Sequence, residues 1–179
     1  FSRPDSIVGG KAVHEYRKKL GEELAKELSI DADIVSAVPD SGIPAAIGYS
    51  NQSKITYDMG IIRNHYVGRT FIEPTQQIRQ LGVKLKHNAN KEIIKNKRLI
   101  LVDDSIVRGT TSKKLVDMLY NAGAQEIHLC ISSPPIKHPD YYGIDTPNIK
   151  DLIAANHTNE EIRKIIGVDT LQYLRIDEL

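Results

Sequence analysis

The run Val102-Asp103-Asp104-Ser105-Ile106-Val107-Arg108-Gly109-Thr110-Thr111-Ser112 concentrates residues able to do chemistry. Asp103 and Asp104 are adjacent carboxylates at the end of the apolar stretch Leu99-Ile100-Leu101-Val102. Such a pair can accept hydrogen bonds from sugar hydroxyls or hold a hydrated Mg²⁺. A few residues on, Gly109-Thr110-Thr111-Ser112 offers a tight turn, several backbone N–H groups and three hydroxyls where a helix should begin. That setting favours a phosphate, because the unpaired N–H groups and the helix dipole both suit an anion. A ligand with a terminal phosphate, polyol hydroxyls and a metal-bound polyphosphate would satisfy both halves. The lysine of a P-loop is missing after the glycine. Taken singly, two acids after a strand make a common solvated turn, and Gly-Thr-Thr-Ser a common helix cap. Their order on one strand–turn–helix unit is what points to a site.

A second polar loop, Val38-Pro39-Asp40-Ser41-Gly42, follows the short run Ile34–Val38. Its small residues let backbone N–H groups approach an anion, but they equally favour an ordinary β-turn. The segment Arg63–Ile72 holds one glycine, Gly68, two arginines, Arg63 and Arg69, and Tyr66. A loop of this kind can close over a phosphorylated ligand and exclude water, or serve as a mobile surface loop or partner contact. Lys84 and Lys86 lie near Asn88, where lysines are usually solvated. The six histidines, at 14, 65, 87, 128, 138 and 157, show no metal-ligand spacing and read as structural or surface residues. Cys130 reads as a small core residue.

The elements that must position these groups follow from periodicity. Lys11–Leu28 places Val13, Tyr16, Leu20, Leu24 and Leu28 on one helical face. Ile43–Tyr49 is small and apolar, as expected of a helix packed closely on a sheet. Ile61-Ile62 leads into the Arg63–Thr70 loop, and Pro74–Lys86 opens with proline at a first helical position. Leu99–Val102 is a strand buried on both faces, as in a parallel sheet. A helix from about Thr111 to Ala122 ends at Gly123, and Ile127–Ser132 is a further strand stopped by Pro134-Pro135. Asn148–Ala155 and Asn159–Ile166 read as short helices, the second capped by Thr158. Strand, helix, strand is a βαβ unit, so the class is α/β with a central, mainly parallel sheet flanked by helices. Both polar loops then fall on the edge where such sheets bind ligands.

Composition narrows the function classes. The chain has 179 residues, 40% hydrophobic and 26% charged, which suits one folded domain spanning 1–179. A net charge of +1 provides no field for nucleic acid or a membrane surface. A single cysteine leaves no disulfide framework and no four-cysteine cluster within the chain. No apolar run is long enough to span a bilayer. The chain starts with Phe1 and has no signal-peptide pattern, so it is expected to be part of a longer cytoplasmic protein.

The apolar strand, two acids, four variable residues and Gly-Thr-Thr resemble the phosphoribosyl pyrophosphate (PRPP) signature of type I phosphoribosyltransferases. The longer string Val102–Ser112 resembles the amidophosphoribosyltransferase family within that group. Asn64–Ile72 resembles the family's flexible loop, and Phe1–Ser6 the start of its synthase domain. The likeness continues through Ser133-Pro134-Pro135 and Tyr142-Gly143-Ile144-Asp145.

The resemblance implies the type I phosphoribosyltransferase fold, with a flexible loop and a small C-terminal helical segment. It implies transfer of the phosphoribosyl group from PRPP to ammonia, giving 5-phosphoribosylamine and pyrophosphate at the first step of de novo purine synthesis. The implied PRPP-binding residues are Pro39, Asp40, Ser41, Gly42, Asp103, Asp104, Ser105, Arg108, Gly109, Thr110, Thr111 and Ser112. Ser41, Asp103 and Asp104 would serve Mg²⁺. Arg69 and Thr70 would belong to the closing loop with Tyr66 and Gly68, and Lys86 would neutralise the leaving pyrophosphate. Asp103, Asp104, Arg69 and Lys86 are the candidate catalytic set. Implied partners are a glutaminase domain as the ammonia source, purine nucleotides as feedback inhibitors and further copies of the full-length chain.

Departures from the family pattern sharpen the expectation. Asp140 stands where one subgroup has a cysteine ligand, so no iron–sulfur cluster is expected. The glutaminase nucleophile is absent from these residues. His65 and His87 occupy positions where the family leads one to expect other residues. The rival readings are a salvage transferase joining PRPP to a free purine or pyrimidine base, and a non-catalytic regulator that binds PRPP.

Overall fold

The structure is a computed structural model that describes residues 2–64, 86–140 and 148–175. Tyr66, Gly68, Arg69 and Thr70, the expected helix before Lys86, Lys84, Phe1, His65 and Tyr142–Asp145 lie outside the described residues.

Four parallel strands form the central sheet: β3 (Ile34–Ala37), β6 (Arg98–Asp103), β7 (Glu126–Ile131) and β8 (Thr170–Tyr173), in the spatial order β3-β6-β7-β8. Two short antiparallel ribbons accompany it. One is β1 (Ile7–Val8) with β2 (Lys11–Ala12), the other β4 (Ile61–Arg63) with β5 (His87–Ala89). Among the described residues the helices are α1 (Val13–Glu27), α2 (Ile43–Ser53), α3 (Lys91–Ile94), α4 (Thr110–Asn121), α5 (Ile153–Asn156) and α6 (Asn159–Ile166), with a 3-10 turn at Ile149–Asp151.

The β6 strand shows why the sheet is buried on both sides. Leu99 and Leu101 point into an apolar cluster with Leu115, Leu119, Ile162 and Ile166 from α4 and α6. Ile100 and Val102 point the other way, into a cluster with Leu24 of α1 and Ala45, Ala46 and Tyr49 of α2. Alternation of side chains along a strand produces this split, and two covered faces account for the unbroken apolar run. The core is mainly aliphatic, as the scarcity of Phe and Trp requires. Among the described residues, no helix is long and apolar enough to cross a membrane.

Several expectations need correction. In α1, Leu24 and Gly21 are buried, whereas Tyr16 and Leu28 are exposed. The helix ends at Glu27, so Leu28 has left its face. The expected helix over Asn148–Ala155 divides at Leu152, which is extended (φ −82°, ψ 111°) and fully buried. The β1–β2 hairpin turns on Gly9-Gly10, a dipeptide that marks such turns. Strand β8 and the β4–β5 ribbon are also additions to the sequence reading.

Candidate functional site

Strands β3 and β6 are parallel neighbours with Ala37 opposite Val102, so the loops that follow them emerge side by side. A cleft of about 470 Å³ opens between them. Its walls are Val38, Pro39 and Ser41 from the first loop, Asp103–Ser112 from the second, and His87 from β5. The resemblance-derived residues Pro39, Ser41, Asp103, Asp104, Ser105, Arg108, Gly109, Thr110, Thr111 and Ser112 are thereby brought together. Asp40 and Gly42 belong to the same loop but lie outside the lining, as does Lys86, which is exposed just before β5.

The second loop is built from inside. Asp103 ends β6 and is buried, and its carbonyl accepts from Ser132 N–H (3.0 Å) and Oγ (3.3 Å). Its Oδ1 accepts from Asp104 N–H at 2.8 Å and more distantly from Ser41 Oγ at 3.5 Å, a link between the two loops. Burial, then the adjacent Asp104 carboxylate, raises the Asp103 carboxyl well above its ordinary value; the Asp104 N–H and Ser41 hydroxyl act against this. Ile106 is fully buried beneath the loop, and Ile153 N–H donates to Val107 C=O at 2.9 Å. Gly109 (φ +73°) caps α4 in the left-handed region that glycine adopts without penalty. A Cβ there would also lie 2.8 Å from Ile153 Cδ1. The helix that follows is two-faced: Ser112, Leu115, Val116 and Leu119 face inward, while Thr110 and Thr111 stay exposed at its start. The first N–H groups of a helix have no partner within it, so this end offers donors to an anion. Arg108 is exposed and 3.7 Å from Asp151.

The first loop is held from outside. Val38 N–H donates to Val102 C=O at 2.9 Å and Gly42 N–H to Val38 C=O at 3.0 Å. A Cβ on Gly42 would lie 2.4 Å from Val102 O, so only glycine fits this approach to the β6 backbone. The Pro39–Asp40 peptide is cis. Arg63, at the end of β4, pairs with the Asp40 carboxylate. His87, opposite Arg63 in the ribbon, lines the cleft with Pro39. Burial lowers the His87 pKa below the usual imidazole value; the Pro39 backbone and Asp40 act against this, and Arg63 and Lys86 with it.

His87 is a cleft-lining residue that the sequence marks only as structural or surface. Local pattern could not find it, because its place depends on β5 pairing with β4 across more than twenty intervening residues. Cys130 is the small core residue that its sequence position predicts. Cys130 is fully buried in β7, and burial pushes its thiol up to about 12. A second cleft of about 470 Å³, over Tyr173 and the Thr158 turn, contains none of the expected residues.

Among the described residues, no cluster of three or more His, Cys, Asp or Glu is placed to hold a metal by itself. The cleft instead offers two adjacent carboxylates and a hydroxyl. Asp103 is buried, and burial together with the adjacent Asp104 carboxylate raises its carboxyl, a setting that a positive charge would relieve. Mg²⁺ is commonly held by one or two carboxylates together with substrate phosphates and water. The residues therefore fit a cation that binds together with a polyphosphate.

Comparison with known proteins agrees with this geometry. Residues 10–164 match the phosphoribosyl transferase domain family. The chain is 58% identical to an amidophosphoribosyltransferase of Rhizobium etli and 54% identical to one of Bacillus subtilis; each match covers 100% of this chain and 36% or 38% of the relative. The chain thus spans little more than a third of these relatives' length. Among solved structures, glutamine PRPP amidotransferase from B. subtilis complexed with ADP and GMP superposes with a TM-score of 0.91 at 54% identity, over 99% of this chain and 39% of that one.

Proposed function

Because the chain belongs to the phosphoribosyl transferase domain family, we propose that it performs the phosphoribosyl-transfer step of an amidophosphoribosyltransferase. The C1–O bond of PRPP breaks and its electron pair leaves with pyrophosphate. The nitrogen lone pair of ammonia forms the new C1–N bond from the opposite face, and a proton is then lost to solvent. The product is 5-phosphoribosylamine.

The observation that carries this reading is the shared cleft. Ser41, Asp103, Asp104 and the Gly109–Ser112 helix start line one space of about 470 Å³. The amides and hydroxyls of Arg108–Ser112 would hold the 5-phosphate. Asp103 and Asp104 would accept hydrogen bonds from the ribose hydroxyls and offset the positive charge that develops at C1. The backbone of Pro39–Gly42 would hold the pyrophosphate. Ser41, Asp103 and Asp104 would hold Mg²⁺, directly or through its water shell, and there it would supply charge neutralisation to the leaving group. Arg69 and Thr70, with Tyr66 and Gly68, would close the site, and Lys86 would meet the departing anion. Neutral ammonia needs no base to act as a nucleophile, in keeping with Cys130 being fully buried.

The wider proposals follow the relatives. Ammonia would come from glutamine through a glutaminase domain. Purine nucleotides would inhibit at overlapping phosphate sites, a proposal supported by the B. subtilis complex with ADP and GMP. The full-length protein would be a cytoplasmic homo-oligomer without an iron–sulfur ligand at Asp140.

Pyrophosphate release from PRPP and Mg²⁺ tests the reading. Ammonium should support release, whereas glutamine or a free purine base should not. Release with a base would favour a salvage transferase, and PRPP binding without release a regulator.

A further inference from the structure

The Asp103–Ser112 turn is anchored mostly by its own residues, but its Val107–Arg108 peptide is held from outside. Ile153, the first residue of α5, donates its N–H to Val107 C=O at 2.9 Å. In a planar trans peptide the C=O and the N–H that follows it point in opposite directions. Holding Val107 C=O at Ile153 therefore turns the Arg108 N–H away from α5. Among the described residues, no backbone C=O takes that N–H. Arg108 lines the cleft, whereas Ile153 stands outside its lining. The grip is itself firmly mounted. Leu152 is fully buried, and Asn156 Nδ2 donates to Leu152 C=O at 2.8 Å and to Ile149 C=O at 3.0 Å. The Ile153 side chain is buried too, with its Cδ1 where a Cβ on Gly109 would meet it at 2.8 Å.

We propose that Ile153 is a positioning residue for phosphoribosyl transfer: its N–H holds Val107 C=O on the α5 side, and so presents the Arg108 N–H to the 5-phosphate of PRPP. The assignment rests on the phosphoribosyl-transfer reading and adds to it a residue more than forty positions beyond the phosphate motif. Ile153 touches no reacting atom and acts through one peptide unit. An anion on the Arg108 N–H polarises that peptide and makes Val107 C=O a better acceptor, so the two hydrogen bonds strengthen each other. The same segment reaches the Arg108 side chain as well, since Asp151 stands 3.7 Å from its guanidinium.

The test separates the N–H of Ile153 from its side chain. Ile153→Pro deletes the N–H at the first position of α5, where proline is favoured. Leu152 before it is already extended (φ −82°, ψ 111°), as a residue preceding proline should be. Ile153→Val has about the bulk of proline and keeps the N–H. Calorimetry with PRPP and Mg²⁺ reads both ends of the ligand, and inorganic pyrophosphate with Mg²⁺ reads only the Pro39–Gly42 end. Ile153→Pro should weaken PRPP binding about tenfold while pyrophosphate binding holds, and Ile153→Val should retain most of the PRPP affinity. An unchanged proline variant, equal losses for PRPP and pyrophosphate, or a valine variant as weak as proline would each overturn the assignment and leave the transfer reading intact. A measurement on the ¹⁵N-labelled wild-type chain decides the matter even where Ile153→Pro fails to fold. PRPP with Mg²⁺ should shift the amides of Ile153 and Arg108 along one curve, and pyrophosphate should move neither. A static Ile153 amide beside a shifting Arg108 amide overturns the assignment alone. A wild-type chain that fails to bind PRPP removes both the reading and the assignment.

Discussion

The two loops that meet at the cleft are held by opposite means. The Asp103–Ser112 turn is anchored by its own residues: a buried carboxylate, a buried Ile106 and a left-handed Gly109 leading into α4. The Pro39–Gly42 loop has almost nothing inside it. It rests on the β6 backbone through Gly42 and is gripped from the side by Arg63 of the β4–β5 ribbon. A self-anchored turn can be read from one stretch of sequence, whereas a loop held by distant elements takes its geometry from them. The ribbon thus gives the rest of the fold a lever on the Pro39–Gly42 side of the cleft and little lever on the Asp103–Ser112 side.

The largest effect should come from the self-anchored turn. Asp103→Asn is expected to lower pyrophosphate release from PRPP by about a hundredfold or more. The same change should stabilise the ligand-free chain at neutral pH. The folded-state pKa of Asp103 lies above its unfolded value. The native state therefore holds this proton more tightly, and its contribution to stability is present at low pH and lost as pH rises through the raised pKa. Thermal unfolding of the wild type should show that decline, and Asp103→Asn should flatten it. A variant less stable than wild type at pH 7 would contradict the account of the buried carboxylate.

Next come the two glycines. Gly42→Ala sets a Cβ against the Val102 carbonyl at 2.4 Å, a backbone clash that only movement of the loop can relieve. It should cost about 1–3 kcal/mol of stability and most of the PRPP affinity. Gly109→Ala meets the end of the Ile153 side chain, which can move, and so mainly bears the left-handed backbone strain of about 1–2 kcal/mol. Denaturant titration should find Gly42→Ala at least as destabilised, with the greater loss of PRPP binding.

Arg63→Ala should separate grip from stability. The ion pair is solvent-exposed, so global stability should change little. PRPP affinity should nevertheless fall severalfold, because the Asp40 side of the loop loses its hold. Equal affinity in Arg63→Ala and wild type would mean that the loop keeps its place without the ribbon. The smallest functional effect is expected from Thr158→Ala. It removes the capping box of α6 and about 1 kcal/mol of stability, at a residue outside the cleft lining. PRPP binding should not change.

How much of this was legible in the sequence follows the same division. The strand–turn–helix of the second loop was readable because each signal is local: apolar β6, Gly109 before α4, and Gly123 (φ +100°) after it. Thr158 was readable as a cap for the same reason, since its partner Glu161 is three residues away. The expected one-sided face of α1 was only partly right, because periodicity cannot tell how far along the helix its neighbours extend. The β4–β5 ribbon was not readable: three-residue strands carry little pattern, and residues 64–86 separate them in the chain. His87 was hidden with it, since no local spacing joins it to Pro39. Strand β8 was hidden because its Gln172 interrupts the apolar run, and that amide is buried through a bond from Nε2 to Leu24 C=O at 3.1 Å.

The central claim is that the acids, the Pro39–Gly42 loop and the start of α4 bind one sugar phosphate together. Amide chemical shifts of the ¹⁵N-labelled chain, followed as PRPP is added with Mg²⁺, test this most directly. The account predicts that the amides of Ser41–Gly42, Asp103–Asp104 and Arg108–Ser112 shift together along one saturation curve. Shifts confined to one loop, separate curves for the two loops, or a response centred on Tyr173 and Thr158 would contradict it.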